Sequence, residues 1–188
     1  VTYNYDDATS YSKMITDLTE NELRNKRILM DIKAHISMRH DHKENCLVVS
    51  DRKKHCVFLF AYVEQYLQKH IQEDKRPLAM LMLGNTPEAM KKKHREILAT
   101  GQPCIIFATS SLIGEGFDLP SLSTLFLVTP MKYIGRVLQV IGRVMRPMQG
   151  KNTPIIYDYV DDVGVLQASW INRAKAYKLL GMPVQRSE

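Results

Sequence analysis

The chain predicts an α/β fold: an open, mostly parallel sheet with helices on both faces, preceded by an N-terminal helical extension. Three observations carry that prediction. Short apolar runs rich in branched residues recur at five places, helical patterns separate most of them, and the runs do not alternate apolar with polar. Continuous apolar runs suit strands covered on both faces, and alternating strands and helices argue for an α/β arrangement. A length of 188 residues suffices for one well-buried domain.

Residues 1–43 read as a helical lead-in and residues 44–188 as the sheet domain. Thr19 and Glu22 fit a capping box. A long charged helical pattern follows, with Leu29, Ile32 and Ile36 facing one way. The first strand is expected at Cys46 to Val49. After it, Cys56, Leu59, Phe60, Val63, Leu67 and Ile71 fit one helical stripe. The second strand is Ala79 to Leu83. Thr86 and Pro87 read as an N-cap followed by proline at the first helical position, opening a helix to about Leu98, before Gly101. Strands at Cys104 to Ala108 and Leu125 to Thr129 come next, then a further helix, then a strand at Ile155 to Val160. A final helix covers roughly Gly164 to Leu180, capped by Asp161 or Asp162 and stopped by Gly181.

The net charge of +6 and pI near 9.2 permit a polyanionic partner. The densest basic run, Lys91, Lys92, Lys93 and Arg95, reads as a solvated helix face. Cys46, Cys56 and Cys104 lack metal-type spacing and read as buried thiols of a reducing, cytoplasmic setting. The histidines form no ligand motif, and His40, His42, His55, His70 and His94 are expected on solvated helix faces or their ends. Asp158, Asp161 and Asp162 are not read as a metal site, so no metal held by this chain alone is expected. No apolar run reaches the length of a membrane span. A chain that begins at Val1 with no apolar signal region reads as a piece of a longer one.

The most informative stretch is Gln139 to Arg146, Q-V-I-G-R-V-M-R, closed by Pro147. At roughly 100° per residue, Arg136, Gln139, Arg143 and Arg146 fall within about 80° of one another, and Ile134, Leu138, Ile141 and Met145 within about 60° on the opposite side. The expected helix thus carries a core face and an acid-free strip of donors suited to phosphate oxygens. Gly135 and Gly142 share a flank where another backbone can approach. Open α/β sheets bind ligands beyond the carboxyl ends of their strands. Three such ends carry turn and phosphate-type chemistry: Ser50-Asp51-Arg52, Gly84-Asn85-Thr86, and Thr109 through Asp118 with Gly114, Gly116 and an acid able to meet a ribose hydroxyl. No G-x-x-x-x-G-K-[ST] loop is present, nor an acidic pair after an apolar strand. The chain carries part of a nucleotide site and lacks the part that cradles phosphates and metal.

These residues resemble the second RecA-like domain of superfamily-two helicases and translocases. Cys46 to Arg52 resembles motif IV, Ala108 to Pro120 motif V, and Gln139 to Arg146 motif VI, in the family's order and spacing. The likeness runs from about residue 44 to 182. Arg146-Pro147, Gly150-Lys151, Ile156 to Tyr159, and Leu166, Arg173, Tyr177 and Gly181 look like the branch of restriction-type translocases, UvsW-like phage helicases and XPB-like repair helicases.

The resemblance implies ATP with Mg²⁺ in a cleft shared with a first RecA-like domain, which holds the metal. It implies arginine fingers at Arg143 and Arg146, nucleotide-side roles for Gly116, Asp118 and Gln139, and nucleic-acid backbone contacts from Ser50, Arg52, Gly84 and Thr109. Motif VI opens with Gln139 rather than the His-Arg of DEAD-box RNA helicases, which favours DNA over RNA; Glu115 receives no catalytic role. Two alternatives stay open: a RecA-like platform without catalysis, and a self-contained nucleotide-sugar or dinucleotide enzyme, against which the missing G-x-G-x-x-G counts.

Overall fold

The computed structural model describes residues 8–39, 45–113, 122–131, 134–144 and 153–185. Helices α1 (Ala8–Glu20) and α2 (Glu22–Arg39) precede strand β1 (Asn45–Ser50). Then follow α3 (Lys53–His70), a short 3-10 turn, β2 (Leu78–Met82), α4 (Glu88–Ala99), β3 (Cys104–Thr109) and the single turn α5 (Ser110–Ile113). The chain continues through β4 (Leu122–Leu127), α6 (Ile134–Val144), β5 (Ile155–Asp158) and α7 (Gly164–Leu179).

The five strands form one sheet in the order β2-β3-β1-β4-β5, and every pair is parallel. The three inner strands are buried at every residue, whereas β5 at the edge is only half-buried, which is why unbroken apolar runs marked them. Successive side chains point to opposite faces. Leu47 and Val49 pack with Leu125, Leu127, Val140, Ile141 and Tyr177, under α4, α6 and α7. Cys46 and Val48 pack with Phe107, Phe126, Leu59 and Val63, under α2 and α3. The β1-to-β2 and β2-to-β3 crossovers run in opposite directions across the sheet, so connections of one hand put α3 and α4 on opposite faces.

Ile28, Leu29, Ile32 and Ile36 of α2 belong to the same core as β1 and β3. Helix α1 is held differently: Met14, Ile15 and Leu18 meet Leu166 at the head of α7. Cys46, Cys56 and Cys104 are free and buried. Burial pushes the Cys56 thiol up to about 12 and the Cys104 thiol to about 11, so neither supplies a thiolate at neutral pH.

Several helix ends differ from expectation. Helix α1 runs through Thr19, whose hydroxyl bonds back to the Thr16 carbonyl, and the cap of α2 is Asn21, whose Oδ1 accepts the Arg24 amide at 2.9 Å. Thr86 closes the β2 turn by accepting the Leu83 amide at 2.9 Å, so α4 starts at Glu88 with Pro87 before it. Val163, with no side-chain cap bond, precedes α7; Asp162 instead accepts from Gln167 and Asp161 from Arg24. Strand β5 stops at Asp158, short of Val160. Gly181 does end α7: its φ of +70° allows the Gly181 and Met182 amides to reach the Lys178 and Tyr177 carbonyls.

Candidate nucleotide and nucleic-acid site

Because every strand is parallel, all five carboxyl ends lie along one sheet edge. The connections leaving β1 and β4 run in opposite directions there, which opens a crevice between those two strands. Asp51 sits at that point. Its amide donates to Thr129 Oγ1 at 2.8 Å, and Ser110 Oγ donates to its carboxylate. The ends of β1, β3 and β4 are thereby tied together.

Ser50 has no exposed surface. Its hydroxyl lies 3.0 Å from His55 Nδ1, and the Arg52 amide donates to it at 3.2 Å. His55 Nε2 lies 2.9 Å from Asn25 Oδ1, while Asn25 Nδ2 donates to the Thr19 carbonyl at 2.8 Å. One proton arrangement satisfies all four bonds: Asn25 Oδ1 accepts from Nε2–H, and Nδ1 accepts the Ser50 hydroxyl proton. That arrangement needs a neutral imidazole. Burial, reinforced by the nearby Arg24 charge, lowers the His55 pKa to about 4. The expected solvated position of His55 is therefore corrected: it is a buried link between α2, α3 and the end of β1. His70 is exposed and His94 half-buried, while His40 and His42 lie outside the described residues.

Arg52 turns to α1, with Nη2 donating to the Ser12 carbonyl at 2.8 Å and Nε to Thr16 Oγ1 at 3.3 Å. Thr109 is nearly buried, its hydroxyl 3.1 Å from Ser111 Oγ. Gly84 is exposed in the turn after β2, with no described atom within 4 Å of where a Cβ would stand. The fold brings Ser50, Arg52 and Thr109 to the ends of adjacent strands, with Gly84 further along the same edge. The Ser50 hydroxyl points inward rather than to a backbone ligand.

Helix α6 packs on the other face through Val140, Ile141 and Val144. Leu138, expected in the core, is 39 % exposed; the Ile134 side chain and Met145 lie outside the described residues. The reason is width. Apolar positions span about 160° of this helix, more than the sheet covers, and the valine flank won. Gln139, Gly135 and Gly142 are exposed, and no described atom lies within 4 Å of a Cβ at either glycine. The flank expected to meet a backbone is thus open. Arg143 belongs to α6, but its side chain lies outside the described residues, as do Arg146, Gly116 and Asp118.

Two ion pairs join residues whose pairing no sequence motif indicated. Arg24 clasps Asp161 through Nε and Nη2 at 2.7 and 3.0 Å and donates to the Val128 carbonyl at 2.8 Å, joining α2 to the segments after β4 and β5. Buried Arg173 grips Asp158 bidentately at 2.7 and 3.0 Å, and Tyr177 donates to the same carboxylate at 2.6 Å. Burial and the Asp158 charge push the Tyr177 phenol up. Arg24 and Asp161 stand 137 residues apart, so no local pattern joins them. His55 did carry a signal: it begins the buried i, i+4 series His55, Leu59, Val63 and Leu67.

The model of the helicase conserved C-terminal domain matches residues 25–148. The inferred helicase 161L of Invertebrate iridescent virus 6 is 26 % identical over 191 residues, covering 96 % of this chain and 39 % of that protein. The inferred helicase D10 of Escherichia phage T5 is 28 % identical over 159 residues, covering 82 % and 33 %. The crystal structure of T4 UvsW superposes with a TM-score of 0.62 at 20 % identity, covering 89 % of this chain and 35 % of that one. The chain therefore spans about a third to two fifths of these relatives.

Proposed function

From the premise that this chain belongs to the helicase conserved C-terminal domain family of superfamily two, we propose that it is the second motor domain of an ATP-dependent helicase or translocase acting on DNA. The carrying observation is the open flank of α6, where exposed Gln139 lies beside two unobstructed glycines on a helix without any acid. Such a surface fits a partner that brings negative charge, and a nucleotide held mainly by a first RecA-like domain is that partner. The bound ATP with Mg²⁺ supplies the transferable γ-phosphoryl group, the metal being held by the other domain.

This chain's own residues then divide the work. Arg143 and Arg146 offset charge on the γ-phosphate, Gln139 couples α6 to the cleft, and Gly116 and Asp118 serve the ribose side. Arg52, Gly84 and Thr109 meet the nucleic-acid backbone, where contacts position rather than specify. Ser50 acts beneath them by holding the Arg52 amide. For Arg52 to reach a phosphate, its bonds to α1 must exchange. The setting is the cytoplasm, and DNA repair or restriction are the processes the branch resemblance favours.

The test is nucleic-acid-stimulated ATP hydrolysis by the full-length protein. Arg143→Ala and Arg146→Ala should each lower turnover by roughly 10³ or more without changing the fold. Near-normal turnover in both variants ends the arginine-finger assignment. Stimulation by RNA alone ends the DNA assignment.

A further inference from the structure

Every fourth residue of α3 from Phe58 onward is a ring: Phe58, Tyr62, Tyr66 and His70. A four-residue step returns near the same helix face and advances about 6 Å, so the rings form a ladder. Phe58 and Tyr62 are 46 % and 43 % exposed, while Phe107 and Phe126 are fully buried in the core. Helix α2 lies alongside and sets Lys33 Nζ 4.5 Å from the Tyr62 ring centre. Between α2 and the head of α3 opens a groove of about 900 Å³ that begins at Arg52 and is lined by Lys26, Lys33, Lys53 and Lys54 beside the two exposed rings. It lies on the α2–α3 face of the sheet, opposite the face that α6 covers.

We propose that this groove binds single-stranded nucleic acid outside the strand-end cleft, with its lysines on phosphates and Phe58 and Tyr62 stacked on bases. Cations alone suit any polyanion, but exposed flat rings in register suit bases, because every base offers a π face. Glu20 and Glu22 line the α1–α2 end of the groove, so the anion lies toward the lysine end. The other basic run, on α4, makes the contrast: Lys91 and Arg95 pair with Glu88, and α4 holds no phenylalanine, tyrosine or tryptophan. A strand that leaves the β1 end past Arg52 enters this groove directly.

The experiment is fluorescence anisotropy of labelled oligothymidylate with the whole chain, without nucleotide, so that its failure leaves the arginine assignment untouched. Circular dichroism checks that each variant is folded. Phe58→Leu with Tyr62→Leu keeps apolar cover while removing the rings, and should weaken binding roughly tenfold or more with an unchanged salt slope. Lys53→Gln with Lys54→Gln should weaken binding and flatten the salt slope by about 1.4, at about 0.7 per phosphate lost. Lys91→Gln with Lys92→Gln and Lys93→Gln should bind like the parent. Absence of binding by the parent, parent-like binding by both groove variants, or equal weakening by the α4 variant overturns the proposal. Loss from the lysine pair but not the ring pair, with polyglutamate displacing the oligonucleotide, assigns the groove to an acidic protein segment and overturns it too.

Discussion

The carboxyl end of β1 and the outer flank of α6 carry similar chemistry and use it in opposite ways. At β1, Ser50, Asp51 and Arg52 turn to His55, Ser110, Thr129, Ser12 and Thr16, all within the chain. At α6, Gln139 stands exposed beside two glycines whose missing side chains meet no described atom. Buried polar groups need partners, so the first region serves cohesion before it serves a ligand. The described outer residues of the second, Gln139, Gly135 and Gly142, are exposed, which leaves them available to something brought from outside.

The sharpest way to break this contrast is to exchange the expected losses. Arg143→Ala should cost roughly 10³ in turnover of the full-length protein while leaving its denaturation midpoint unchanged; a large stability loss would make α6 a cohesive element like β1. Arg173→Met should do the reverse on the inward side. It strands the Asp158 carboxylate with Tyr177 alone, and urea unfolding should show a loss of about 3–5 kcal/mol. A loss below about 1 kcal/mol would mean that the bidentate pair does not hold α7 to β5.

His55 supplies a pH test of the same inward region. Its folded pKa, near 4, lies below the ordinary histidine value of 6.5, so the unfolded chain binds the extra proton. The stabilisation is complete above about pH 6.5 and fades as pH falls toward about 4. Each tenfold difference in proton affinity between the folded and unfolded chain is worth about 1.36 kcal/mol. Urea unfolding at about pH 7.5 and about pH 5 should therefore differ by about 2 kcal/mol more in the parent than in His55→Asn. Equal pH dependence in both proteins would remove His55 from the cohesive network. The smallest effect is also the most discriminating. Gly142→Ala fills open space in a helix and should stabilise the chain by about 0.5–1 kcal/mol while lowering turnover of the full-length protein if α6 has the proposed role. Unchanged turnover would make the flank plain solvent-facing surface.

The elements were legible because their signals are local. The inner strands are apolar on both faces, and α2 and α3 repeat their buried residues at helical spacing through Leu29, Ile32 and Ile36 and through Leu59, Val63 and Leu67. Helix caps were harder. Thr19 with Glu22 and Asn21 with Arg24 are both acceptable starts for α2, and the continuation of α1 through Thr19 decided between them. In α6 the composition allowed two core faces, and contact with β4 selected the valine side. His55 was readable from its place in the α3 stripe, yet its polarity suggested solvent; Asn25, 30 residues earlier, is what makes burial tolerable.

The sequence alone therefore determined the α/β class, the positions of the five strands and of α3, α4, α6 and α7 within a few residues, and the family through its motifs, whereas α1 and the single turn α5 were not placed by it. Hydrophobic period and motif spacing are properties of neighbouring residues. Tertiary structure alone decided which polar side chains turn inward. Arg24 finds Asp161, Arg52 finds Ser12, and His55 finds Asn25 only after the sheet and helices have packed. A polar side chain is equally content with water until folding removes the water, and the partner that replaces it is chosen by geometry between distant segments.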